Sequence, residues 1–211
     1  MRALKILKIA VFSLLFFLIP LNASINKYVI SDDVVIDTRT AQKILEIGSE
    51  VKSKTNVNIY VNAKTTLGID KEIPTKEKLE FIKNYETQLV SKLEKPYVLL
   101  NIALEQTHVN ILMSKDIEKI IDKNNILNGY VVPLLASKDK NTLFTKVSAA
   151  VLNGYDEIAD QIAKANGVEK LETGIPDSGK TAGTIWKVFM YTIVLGGIIL
   201  YTFAVLRTKK K

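Results

Sequence analysis

Gly174, Gly179, Lys180 and Thr181 fall at the spacing of a phosphate-binding loop. Such a loop works because a strand delivers it and a helix follows it, so that backbone amides and a helix N-terminus converge on phosphate. Here a polar segment, residues 169–172, stands before the match and an apolar run follows it. No Asp or Glu occurs after Asp177 to hold magnesium. The match reads as a coincidence of spacing, and no nucleotide partner is expected.

His108 is the only histidine. A general base needs an orienting partner, and a metal site needs further nitrogen or sulfur ligands. The sequence identifies neither, so His108 reads as a turn or surface residue. Asp32, Asp33 and Asp37 precede a helix start, where carboxylates cap the first turn and complement its dipole; the sharper alternative is a calcium or magnesium site. Asp116, Glu118 and Asp122 read as a solvated helix face. No serine sits in a nucleophile-elbow pattern. The absence of cysteine removes disulfides, thiolate catalysis and Cys-ligated zinc together. The sequence therefore assigns no catalytic, cofactor-binding or metal-ligating residue, expects no cofactor, and favours a non-enzymatic role.

The elements that would position these residues lie between two apolar ends. Arg2, Lys5 and Lys8 precede a 13-residue apolar run, 9–21, and Asn22, Ala23 and Ser24 follow it. That is the layout of a secretory signal peptide, assigned to residues 1–24. Residues 188–206 form a second apolar run without charge, 19 residues long. It is long enough to cross a hydrocarbon core of about 30 Å, and the transmembrane helix is placed at 184–206. Arg207, Lys209, Lys210 and Lys211 make a basic tail, 207–211, expected to stay in the cytoplasm.

The net charge of +7 follows from these ends. Eight of the 29 basic residues lie in or beside them and all 22 acidic residues lie between, so the middle carries 21 − 22 = −1. A basic nucleic-acid footprint is absent there. Residues 25–173 are then one domain, and 174–183, rich in Gly, Pro, Ser and Thr, form a linker. With Lys, Ile and Asn abundant, the chain is expected in a bacterial inner membrane, single-pass, with its domain in the periplasm.

Within the domain, Asp37 or Thr38 caps a helix to about residue 54, with Ala41, Ile44, Leu45, Gly48 and Val51 as its apolar stripe. Val57, Ile59 and Val61 alternate with Asn58, Tyr60 and Asn62, which predicts a half-buried strand. A loop covers 65–74. The next helix, 75–93, buries Leu79, Ile82, Tyr85, Leu89 and Leu93. Residues 97–104 form a central strand buried on both faces. After a turn at 105–107, residues 108–113 return as its hairpin partner.

Ser114 caps a short helix to Lys123 that turns Ile117, Ile120 and Ile121 inward and is broken at Asn124, Asn125, Asn128 and Gly129. Residues 130–135 are extended or a short helix. Asn141 caps the last helix, 142–165, striped by Leu143, Val147, Val151, Ile158 and Ile162 and closed by Asn166 and Gly167. The fold class is α/β, a small mixed β-sheet sandwiched between helices, plus one C-terminal transmembrane helix. In that helix Thr192, Gly196 and Gly197 would let a partner helix approach closely.

Several segments resemble the TPM domain family over about 31–167. They are Asp32, Asp33, Val34, Val35 and Ile36 before the first helix, residues 55–61 after it, Val98, Leu99 and Leu100 leading into residues 109–112, and Asn153, Gly154 and Tyr155 in the last helix. The resemblance implies a small sheet between helices. Family members are often secreted or membrane-anchored, and include proteins linked to photosystem repair, receptor accessory subunits and reported phosphatases. At Lys95, Pro96 and Tyr97 the chain departs from the acidic and glycine residues usual before the central strand.

The resulting expectation is a membrane-anchored, non-enzymatic accessory or chaperone-like factor. Its partner would be an integral membrane protein client, such as a respiratory complex, transporter or flagellar stator. The alternative is a periplasmic phosphatase or divalent-metal-binding module of the TPM type.

Overall fold

The computed structural model describes residues 26–69, 73–175 and 202. The expected signal peptide, most of the linker, the transmembrane helix apart from Thr202, and the basic tail lie outside the described residues. Among those described, no helix is long and apolar enough to cross a membrane.

Helix α1, Thr38–Thr55, starts where Asp37 accepts hydrogen bonds from the amide and hydroxyl of Thr40 at 2.9 and 2.8 Å. It ends where Asn56 turns left-handed at φ 60°. Its inward face is Ile44, Ile47, Gly48 and Val51. Strand β1, Asn58–Lys64, lies parallel to β2, Tyr97–Ala103, and β2 is antiparallel to β3, His108–Met113, giving the order β1-β2-β3. Helix α2, Thr75–Ser91, joins β1 to β2.

Alternation divides the sheet into two faces. Ile59, Val61, Ala63, Val98, Leu100, Ile102 and Ile111 form one, and all are buried. This apolar face packs against α1 and the last helix, α5, Leu143–Ala165. Gly48 and Gly154 allow that approach. A Cβ on Gly48 would stand 2.3 Å from the Tyr155 hydroxyl, and one on Gly154 would stand 2.5 Å from a Val131 methyl. Tyr155 is fully buried and donates to the Ile59 carbonyl at 2.9 Å, tying α5 to β1.

The other face carries Asn58, Tyr60, Asn62, Leu99, Asn101 and Asn110, with α2 above it. The mixed three-stranded sheet between helices therefore stands, but β1 is buried on both sides rather than half-buried. Its polar residues face a helix, not water. Most of the stripe expected for α2 does turn inward: Leu89 and Leu93 pack against the core and Tyr85 is half-buried. Ile82 and Glu86 are the buried residues of α2, while Leu79 is 58% exposed.

The chain after β3 also departs from expectation. The Ser114 hydroxyl oxygen accepts from the Tyr97 amide, and residues 114–120 form successive turns closed by the Ile117 and Ile120 amides rather than a capped helix. Ile117 and Ile121 still turn inward. Asp122 caps the helical stretch instead, accepting from the Asn125 amide at 3.0 Å. It comprises α3, Lys123–Ile126, a π-helical turn, Leu127–Val131, and α4, Val132–Leu135. Asn124, Asn125, Asn128 and Gly129 lie inside it. Pro133 has no amide to return to the carbonyl four residues earlier, and the widened turn just before it takes up that mismatch. Thr142, not Asn141, caps α5, and Leu143 is exposed.

Candidate functional site

One asparagine comes from each strand. Asn62 is the register partner of Asn101, and Asn101 that of Asn110, so the three amides form a row across the sheet. Asn62 Nδ2 donates to Asn101 Oδ1 at 2.7 Å and to the Tyr85 hydroxyl at 3.0 Å. Asn101 and Asn110 each donate to the Glu86 carboxylate at 2.9 Å, and Asn110 reaches both of its oxygens. His108, two residues before Asn110 and so on the same face, brings Nε2 to 2.8 Å from Glu86 Oε1. Lys123, from α3, donates to Asn110 Oδ1.

Glu86 is only 7% exposed. Burial pushes its carboxyl up, but the hydrogen bonds from His108, Asn101 and Asn110 outweigh that and hold it below the usual carboxylate range. Against an ionised carboxylate, His108 Nε2 is the donor. The carboxylate accepts bonds from three side chains, which suits it to orient His108 rather than to take protons itself. Nδ1 of His108 has no hydrogen-bond partner among the described residues, and the side chain is 22% exposed.

His108 also lines a groove of about 640 Å³ at the hairpin end of the sheet. Its walls are mainly apolar: Ile102, Leu104, Val109, Val132, Leu135 and Leu143. Val132, Leu143 and the neighbouring Phe144 are 41%, 56% and 41% exposed at its rim.

The residues weighed from sequence fall elsewhere. Asp32 pairs with Lys64 at 2.8 Å, Asp33 accepts from the Thr65 amide at 2.8 Å, and Asp37 caps α1. The three carboxylates thus serve separate local partners. Asp116 and Glu118 are exposed in turns. No group of three His, Cys, Asp or Glu side chains placed to hold a metal ion occurs among the described residues.

At the start of the phosphate-loop match no strand precedes Gly174, and its neighbours are already engaged. The Thr173 amide donates to Glu50 at 2.8 Å and the Ile175 amide to Asp156 at 2.9 Å. Amides committed to carboxylates do not form an anion cradle. Residues 176–181 of the match lie outside the described residues.

Glu86 was the missing partner of His108. The sequence signal for it was asparagine within each of three otherwise apolar strands, Asn62, Asn101 and Asn110, together with a glutamate four residues after Ile82 on the inward side of α2.

No protein family's sequence pattern matches the chain, and no curated protein does. Solved structures do. The chain is similar to the solution NMR structure of the N-terminal domain of a protein from P. gingivalis, with a TM-score of 0.50 and 12% identity. That match covers 71% of this chain and 90% of the other. It is also similar to the NMR structure of the BA42 protein from the psychrophilic bacterium Bizionia argentinensis, with a TM-score of 0.41 and 15% identity, covering 66% and 93%. The first match shows a shared small α/β fold, and nothing of function follows from it.

Proposed function

We propose that this chain is a TPM-like binding module, anchored to a bacterial inner membrane, that holds part of an integral membrane protein during assembly or turnover. The observation that carries the reading is the apolar groove beside the β2–β3 hairpin, open at Val132 and Leu143. An apolar, partly open groove on a domain of near-neutral charge suits the capture of polypeptide. The Glu86 network supports the reading from the other side: its carboxylate accepts bonds within the protein and stiffens the sheet from which the groove is built. Membrane attachment rests on the apolar run 188–206 and the basic tail that follows it.

The test is in cells. A photo-crosslinking residue at Val132 or Leu143 is expected to capture one membrane protein, and deletion of the gene to lower the assembly or level of that protein. Labelling of no membrane protein, with an unchanged membrane proteome, sinks the reading.

A hydrolytic reading has one observation in its favour: the Glu86–His108 pair orients an imidazole at the groove. Turnover of a generic phosphoester by purified protein, lost in His108→Ala, would establish it in place of the first.

A further inference from the structure

The two edges of the sheet are unequal. Along β1 the outward backbone groups are partly used: the Val61 amide donates to the Tyr28 carbonyl at 2.7 Å, and the Val61 carbonyl accepts from Ile30 at 2.8 Å. Along β3 they are not. Asn58 donates to the Pro96 carbonyl and Leu104 donates to the Lys64 carbonyl, so the even-numbered groups of β2 face β1 and the odd-numbered ones face β3. The bond from the Ser114 amide to the Tyr97 carbonyl fixes the same phase from the other side. Asn110 and Leu112 therefore bond back to β2, and the N–H and C=O of Val109, Ile111 and Met113 point away from it. Among the described residues none of these three outward pairs has a hydrogen-bond partner.

An unpaired strand edge is a template for another strand. Two features next to this edge select what could pair there. On the apolar face, the Val109 side chain belongs to the groove wall. On the polar face, the Lys123 ammonium stands at Asn110, midway along the strand. A strand laid beside β3 would put alternate side chains over the apolar face and the rest beside Lys123.

We propose that β3 takes an extended, amphipathic polypeptide segment as a fourth strand. Its apolar residues would run alternately over the groove side, and an acidic residue would lie next to Lys123. This deepens the accessory reading and rests on it: the segment is the form in which a client would be held.

The test uses the full chain in detergent micelles and a synthetic peptide of about nine residues, alternating valine with threonine around one central glutamate. In the free protein the amides of Val109, Ile111 and Met113 are expected to exchange with solvent at least roughly tenfold faster than those of Asn110 and Leu112. The peptide should slow those three selectively. The same peptide N-methylated at alternate backbone positions should not. Val109→Pro removes an outward N–H and no bond to β2, so it should weaken peptide binding about tenfold or more while leaving the circular dichroism unchanged. Lys123→Glu should weaken it too, and needs no change in the strand.

Slow exchange of the three amides in the free protein, whether from another part of the chain or from a second copy, overturns the proposal. So does equal binding of the N-methylated peptide. A client captured in cells while the edge amides stay unprotected leaves the accessory role standing and removes only the strand pairing.

Discussion

The Glu86 carboxylate lies 2.8 Å from Nε2 of His108, and the two residues come from different elements, the helix over the polar face and the edge strand beneath it. Helix α2 is fastened by Ile82, by Leu89 and Val90 packed against the core, and by this contact with the asparagine bonds around it. Removing a buried ionised carboxylate leaves the donors around it unsatisfied, which costs about 1–3 kcal/mol for each buried group left without a partner. Here the histidine is partly exposed, and Glu86→Ala is expected to destabilise by roughly 2–4 kcal/mol in urea unfolding. A loss under about 0.5 kcal/mol, the range of an ordinary surface change, would show that the network contributes nothing.

Gly48→Ala tests the opposite face. Its Cβ would meet the Tyr155 hydroxyl at 2.3 Å and the Tyr28 ring at 2.7 Å. Tyr28 and Tyr155 are both fully buried, so neither ring has solvent to move into. Overpacking of this kind costs about 1–3 kcal/mol, with more if the Tyr155 bond to Ile59 is lost. The pair Gly48→Ala with Tyr155→Phe removes the hydroxyl that clashes and should recover part of the loss. Thermal unfolding of the single and double variants decides it; an additive double variant refutes the clash.

Asp37→Ala should cost about 0.5–2 kcal/mol, the usual value of a lost N-cap. The Asp37 carboxyl is held below its ordinary range: burial pushes it up, but the bonds from Thr40 pull it further down. Since the folded group is the stronger acid, its contribution is full above the unfolded carboxyl range and fades as pH falls through the folded value. The wild-type advantage over Asp37→Ala should therefore shrink in acid. An advantage that grows in acid contradicts the cap.

These residues also show how much of the molecule was legible. Helix α1 was readable from its apolar spacing and cap together, and the central strand and hairpin from their dense apolar runs. The polar face was not. Alternation of Asn58, Tyr60 and Asn62 with aliphatic residues is the pattern of a strand facing water, and period alone does not say whether a helix covers the polar side. The stripe assigned to α2 included Leu79, which is exposed, and passed over Glu86, because a charged residue normally marks the outward side. Ser114 looked like a cap, since a serine before an apolar segment usually is one, and only the register of β2 against β3 shows its hydroxyl serving Tyr97. His108 was noticed, but its partner lies 22 residues away and reaches it only through the fold.

The segment leaving the domain is fixed by Glu50 on α1. Its carboxylate accepts from Lys54 Nζ at 2.7 Å, from the amides of Glu172 and Thr173 at 2.8 Å each, and from the Thr173 hydroxyl. Burial pushes the carboxyl up, yet these donors bring it from 4.5 down to about 2. A depressed folded value means that the contact stabilises fully above the unfolded value and is lost as pH falls from about 4.5 towards about 2. Glu50 should then titrate, by carbon NMR of its carboxyl, with a midpoint near 2, and the Glu172 and Thr173 amides should begin to exchange faster over the same interval. Glu50→Gln removes the charge, so it should speed exchange of those two amides at neutral pH and abolish the acid transition. An ordinary midpoint near 4.5, with the two amides unaffected by Glu50→Gln, would mean that Glu50 does not hold the segment at Glu172 and Thr173.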